Sequence, residues 1–206
     1  MHKESLVLDT AGLVKRRKSP SWKLGSICGC GCGEELTHQA KYINGHDKRP
    51  YNWDIELTTD ERSAILGTIA GDSSLLLPNN RSTNPRITCN HGEIQRDWAM
   101  HKAQFLQRLS TRVFERPNAG YGNWHVSYST ACLPALSPIL DLTYRQGTKE
   151  LSKTWLSELN SIGLAWWIGD DGSASGGRSL HLHTEGFTEG ENEIARDWFK
   201  EQYGPT

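Results

Sequence analysis

Two acids, Asp72 and Asp171, each close an apolar run broken by small residues: Ile65-Leu66-Gly67-Thr68-Ile69-Ala70-Gly71-Asp72 and Leu164-Ala165-Trp166-Trp167-Ile168-Gly169-Asp170-Asp171. A run of this kind predicts a helix whose small residues let a second backbone come close. Two such helices packed together would bring two carboxylates to one seam. Carboxylate oxygens are the ligands that hard divalent cations prefer, and a pair of such ions suits phosphodiester hydrolysis, one activating water and the other stabilising the leaving oxygen. The pattern points to nuclease chemistry. Asp170 is the neighbouring acid, but one residue along a helix turns it about 100° from the face of Asp171, which makes it a second-tier candidate.

The elements that must position these acids are legible on either side. Thr58 and Glu61 have capping-box spacing, with Leu57 ahead of the cap, which predicts a helix start. Polar loop residues are expected after Asp72, then a strand over 86–90, a helix over about 93–109 and a strand over 124–129. Leu136, Ile139, Leu140 and Leu142 predict a short packed helix within 134–144, and residues 146–157 read as a linker. A second cycle follows: a helix to Asp171, a Gly/Ser-rich loop over 172–177, a strand over 179–184 and a helix over 189–203. The cycles repeat at a near-constant offset. Asp72 and Asp171 are 99 positions apart, and Arg-Asp-Trp at 96–98 recurs at 196–198, 100 positions on. Such a duplication implies a pseudo-two-fold fold in which each half covers the other.

With both motifs placed, residues 57–206 resemble the LAGLIDADG homing endonucleases, specifically the single-chain branch with two motif copies. Gly71-Asp72 followed by small residues resembles the first motif, with Ser73 where glycine is usual. Leu164-Ala165 through Asp170-Asp171-Gly172 resembles the second motif more closely, and His181-Leu-His-Thr-Glu-Gly-Phe187 resembles the segment that follows it. The resemblance implies an α+β fold of the duplicated αββαβ type, with the motif helices at the centre and two antiparallel sheets forming a saddle over the DNA major groove. It implies that Asp72 and Asp171 are the catalytic, Mg2+-binding acids, each near one scissile phosphate, and that both strands are cut to leave short 3′ overhangs. It also implies a role in intron or intein mobility. The counterpart of the 124–129 strand would fall past Thr206, so the second repeat reads as shortened. The resulting division is a basic arm at 1–20, a Cys/His unit at 21–55, a first repeat at 56–145, the linker, and a second repeat at 158–206.

Cys28-Gly-Cys-Gly-Cys32 is followed by His38 and His46. Three thiols and one imidazole would complete a tetrahedral zinc site, and a loop-rich unit this small needs such a staple. Resemblance to small Cys/His modules ahead of nuclease domains in phage-type proteins favours His46 as the fourth ligand, with reduced surface thiols as the alternative. Cys89 and Cys132 are isolated and read as packed.

At 206 residues, with 36% hydrophobic and 23% charged residues, the chain suits one domain plus a small appendage. It has no apolar run long enough to span a bilayer and no secretory signal pattern, so no membrane role and a reducing cytoplasmic compartment are expected. The net charge of −1 is unhelpful to a polyanion partner, but charge is unevenly spread: five Lys/Arg face two acids in residues 1–20, whereas residues 185–206 hold six acids against Arg196 and Lys200.

In a saddle, alternate strand residues face the nucleic acid. Arg86, Thr88 and Asn90 share one face of the first-half strand, His181 and His183 one face of the second, and Arg81 and Arg178 precede these strands; with the solvated-face alternative kept, these seven are the candidate DNA-binding residues. Lys102 reads as a solvated helix lysine, with a basic group near the acids as the second option. The expectation is a monomer acting as a pseudo-dimer on double-stranded DNA, a Mg2+-dependent site-specific endonuclease with a Zn2+ module. The alternative is a non-cleaving DNA-binding protein or an RNA maturase on the same scaffold.

Overall fold

The computed structural model describes residues 6–8, 14–16, 25–26, 35–37, 39–41, 53–79, 82–117, 124–176 and 179–204. Two units divide the chain, Met1–Tyr51 and Asn52–Thr206. In the first, β1 (Leu6–Leu8) pairs antiparallel with β2 (Val14–Arg16), Leu6 opposite Arg16. Strands of three residues are too short to show a period, so this pairing is not legible in the sequence. Leu36 is buried, and its backbone exchanges hydrogen bonds with Gly25 and Ser26. Cys28, Cys30, Cys32, His38 and His46 lie outside the described residues, as do Arg81 and Arg178.

The second unit is built on two helices, α1 (Thr59–Ala70) and α5 (Ser161–Asp171). Thr58 and Glu61 form the capping box read from the sequence, each side chain accepting from the other's backbone N–H. Asn160 caps α5 through Ile162 and Gly163, and its own N–H and amide tie it to Ser63 Oγ (2.8 Å) and Asp60 Oδ1 (2.9 Å) of α1. From Ser63 to Ala70 the whole of α1 is buried, so its glycine at 67 is tolerated because packing, not helix propensity, holds it.

The backbones touch. A Cβ on Gly67 would lie 1.9 Å from Gly163 O, and one on Gly163 would lie 2.3 Å from Ser63 Oγ and 2.4 Å from Ser63 O. Since both obstacles include backbone carbonyls, no rotamer change relieves them. Gly163→Ala is expected to cost about 3 kcal/mol or more, at the upper end of overpacking effects. A chemical denaturation midpoint that falls at unchanged slope would register this, and an unshifted midpoint would contradict the close approach.

Around this pair the first half supplies a four-stranded antiparallel sheet in the order β3 (Ser73–Leu76), β4 (Arg86–Gly92), β6 (Trp124–Ser129), β5 (Arg112–Pro117). Residues 73–76, expected to be loop, form β3 because pairing with β4 satisfies their backbone. One sheet face, with Leu75, Ile87, Cys89, His91, Val126 and Tyr128, is buried, and α2 (Arg96–Phe105) packs on that sheet. The expected 93–109 helix is split into α2 with a 3₁₀ turn on either side.

The stretch 146–157 does more than tether. β7 (Tyr144–Arg145) and β8 (Thr148–Lys149) make a hairpin after α3 (Ser137–Thr143), and α4 (Lys153–Ser157) buries Trp155 and Leu156 completely. In the second half, β9 (Gly172–Ser175), expected as loop, pairs with β10 (Ser179–Leu182), and α6 (Glu189–Tyr203) follows with a second capping box, Thr188/Glu191. Among the described residues the second half thus has two strands where the first has four. The fold is α+β with antiparallel sheets, as the resemblance implies.

Candidate metal centre and nucleic-acid face

Asp72 directly follows Gly71, the C-cap of α1, and Asp171 is the last residue of α5. Both acids therefore leave the helix seam at the same end, where the charges of Asp72 and Asp170 reach Asp171. Burial, then the negative charge of Asp72 and of Asp170, pushes the Asp171 carboxyl up to about 6, against the opposing pull of Lys149 and His183. Asp72 is raised by the same causes, burial first and Asp170 second. Crowded carboxylates that resist ionisation in the free protein are the electrostatic complement of a cation.

Lys149, at the end of β8, reaches the same end of the seam. Its Nζ donates to Gly71 O at 3.0 Å, and its charge acts on both Asp171 and Asp72, while burial lowers its own pKa. Sequence spacing missed it, because a β-hairpin that returns to the seam has no local signature.

Asp170 is turned away from Asp171, as helix geometry requires, and the turn carries it into the seam. A Cβ on Gly71 would lie 2.5 Å from Asp170 Cβ. Its side chain is fully buried and takes three donors: Lys102 Nζ (2.6 Å) and Trp98 Nε1 (2.7 Å) on Oδ1, and Thr68 Oγ1 (2.8 Å) on Oδ2. Thr68 gives its one proton to Asp170, so it accepts from Ser73 Oγ (2.8 Å) and Lys102 Nζ (3.2 Å). Ser73, having donated, accepts from Tyr128 OH (3.3 Å), whose pKa burial drives well up, keeping it a neutral donor. Ser73 thus takes a hydroxyl's place in a chain of donors that a glycine there could not join. Lys102 is no solvated helix lysine: it is 0% exposed, held by Asp170 and lying over the rings of Trp98 and Tyr128.

His91, on the buried face of β4, approaches Asp72 with Nδ1 at 3.4 Å from Oδ2. Its Nε2 is 3.2 Å from Cys89 Sγ, and burial lowers its pKa, so the ring is neutral near pH 7. One ligand atom each from Asp72, His91 and Asp170 lie within 4.8 Å of one another, the sole such trio among the described residues. The donor set suits a divalent cation.

Because Asp171 has a higher pKa in the fold than its ordinary 3.8, ionising it costs folding free energy as pH rises from about 4 through about 6. A cation bound to the ionised carboxylate offsets that cost. Saturating Ca2+ is therefore expected to raise Tm more near pH 7 than near pH 5, a difference that Asp171→Asn should diminish in thermal melts.

Arg86, Thr88 and Asn90 occupy the open face of the four-stranded sheet, opposite the buried Ile87, Cys89 and His91. Register places Thr88 across from Ser129 and then Arg112, and Asn90 across from Ser127 and then Phe114; Arg112, Phe114 and Arg116 are exposed. These β5 residues were not among the sequence candidates, since nothing in 112–117 reveals that it is the sheet's edge. His181 and His183 are exposed beside β9, with His183 N–H bonded to Asp171 O at 2.9 Å and its Nε2 3.0 Å from Ser173 Oγ.

The model of the LAGLIDADG DNA endonuclease family matches residues 62–205. Among curated proteins, "Protein RecA" of Mycolicibacterium flavescens is 29% identical over 164 residues, covering 72% of this chain and 37% of that protein. "Probable intron-encoded DNA endonuclease 3" of Mycosarcoma maydis is 37% identical over 83 residues, covering 37% of this chain and 61% of its own. The chain thus spans little more than a third of the length of the RecA relative. Among solved structures, the homing endonuclease I-WcaI bound to its DNA recognition sequence aligns with a TM-score of 0.62 at 19% identity, over 72% of this chain and 70% of that one. That likeness concerns the fold.

Proposed function

The chain belongs to the LAGLIDADG DNA endonuclease family, and we propose that it is a divalent-metal-dependent, site-specific endonuclease that hydrolyses both strands of a DNA duplex. The observation that carries this reading is the α1/α5 seam, which brings Asp72 and Asp171 to the same end, where the charge of Lys149 acts on both. Asp72 and Asp171 would hold Mg2+, which when bound supplies an activated water and stabilises the leaving oxygen. Lys149 holds positive charge against both acids and is fixed by Gly71 O, so it limits their repulsion in the free protein. Lys102 holds Asp170 in the seam through a buried ion pair.

The open sheet face binds the duplex. Arg86, Thr88 and Asn90, extended by Arg112 and Arg116, present donors for base edges and phosphates; His181 and His183, with Arg81 and Arg178 on sequence grounds, serve the second half. Packing α1 on α5 within one chain supports a monomer that works as a pseudo-dimer. The Cys28/Cys30/Cys32/His46 set is proposed as a structural Zn2+ site, to be decided by metal content of the purified protein, and a cytoplasmic location accords with reduced thiols.

The test is cleavage-site selection from a randomised duplex library with Mg2+. Recovery of one sequence cut on both strands, with short 3′ overhangs, is expected. A sequence that is bound and never cut would overturn the enzymatic reading in favour of a DNA-binding protein, and RNA splicing in its place would favour a maturase.

A further inference from the structure

We infer that His91 is a nitrogen ligand of the cation held by Asp72, which makes the Asp72 centre chemically unlike the Asp171 centre and gives it affinity for cations that accept imidazole. This rests on the proposed metal-holding role of Asp72. The imidazole is on the buried sheet face, 3% exposed, yet its Nδ1 stands 3.4 Å from Oδ2 of the Asp72 carboxylate. Two ligand atoms on adjacent positions of an octahedral ion at about 2.1 Å stand about 3 Å apart, close to that separation.

The ring's other nitrogen is suited to the role. Without a cation, Nδ1–H donates to Gln95 Oε1 at 3.2 Å, with Asp72 Oδ2 3.4 Å from the same nitrogen. With Nδ1 on a cation, the single ring proton resides on Nε2 and is donated to Cys89 Sγ at 3.2 Å. Lys102 Nζ lies 3.6 Å from the same sulfur, so the acceptor side of that bond faces a fixed positive charge. Asp170 contributes negative charge and its one unused lone-pair direction, three being spent on Lys102, Trp98 and Thr68. The Asp72 side chain is about a third exposed, so the position between it and His91 is open to solvent on the Asp72 side.

No counterpart stands at Asp171 among the described residues. The imidazole whose charge reaches it, that of His183, is exposed and already engaged with Ser173 and Glu185. One centre is therefore oxygen-rich and the other mixed nitrogen and oxygen.

The experiment is Mn2+ binding to the full chain without DNA, read by electron spin-echo spectroscopy, with Ca2+ binding followed in parallel by calorimetry. Wild type is expected to show nitrogen coupling on bound Mn2+. In His91→Gln that coupling disappears and Mn2+ affinity falls about tenfold or more, while Ca2+ affinity changes by less than about twofold. If His91→Gln does not fold, wild type labelled with 15N-histidine replaces it, and the coupling must move to the 15N frequency. Mn2+ that does not bind, that binds without nitrogen coupling, or whose coupling survives His91→Gln overturns the inference. Mn2+ and Ca2+ affinities both unchanged in Asp72→Asn would instead overturn the proposed role of the acid itself.

Discussion

Asp72→Asn and Asp171→Asn are each expected to lower double-strand cleavage by about 10³-fold or more while leaving duplex binding within about tenfold. The carboxylates' share in holding a cation at the transition state is worth several kcal/mol, and each 1.36 kcal/mol is a factor of ten. Asparagine keeps the shape and loses the charge, so the fold has no reason to suffer. It gains: burial and the crowding of Asp72, Asp170 and Asp171 make ionised Asp171 unfavourable in the free protein, and the metal-free Asp171→Asn variant is expected to melt no lower than wild type near pH 7. Cleavage assays and gel shifts on the selected duplex, beside metal-free melts, test all three statements. Cutting that persists unchanged in both variants would remove these acids from the chemistry.

The second large effect lies one residue away. Lys102 and Asp170 are both fully buried and 2.6 Å apart, so removing one partner leaves the other charged in the protein interior. Lys102→Met is expected to destabilise the fold by about 3–5 kcal/mol, and Asp170→Asn by a comparable amount. In the double variant neither charge remains; the amide introduced by Asp170→Asn accepts from Trp98 Nε1 through its oxygen and presents its NH2 to Thr68 Oγ1, which can accept it. It should therefore be markedly more stable than the sum of the singles predicts. A double-mutant cycle from denaturant unfolding measures this; additive losses would show that the two side chains do not depend on one another. The pair also joins the halves, with Lys102 from α2 of the first and Asp170 from α5 of the second. Cleavage in Lys102→Met is expected to fall with stability.

Much of this was legible in the chain. Local rules placed the caps at Thr58/Glu61 and Thr188/Glu191, the strand at Trp124–Ser129 and the helix at Glu189–Tyr203, because capping and periodicity are written in neighbours. The glycines at 67 and 71 signalled a close approach, and a Cβ at either would collide with α5, at Gly163 O and at Asp170 Cβ. The strands at 73–76 and 172–175 were not legible: Ser- and Gly-rich residues have little strand propensity, and only their partners β4 and β10 supply the hydrogen bonds that hold them extended.

From sequence alone come the duplication, the two motif acids, the family resemblance and the face of Arg86, Thr88 and Asn90, since each is carried by residue type and spacing along one segment. The tertiary structure alone decided which charges neutralise which. Lys102 looks like any helix lysine, Lys149 like any turn lysine and His91 like any strand histidine until α2, the β7–β8 hairpin and β4 converge on the end of the α1/α5 seam. Charge pairing and desolvation depend on distance through space, and these three residues are brought to Asp72, Asp170 and Asp171 from elements far away in the chain, as the 78 positions between Lys149 and its partner Gly71 illustrate.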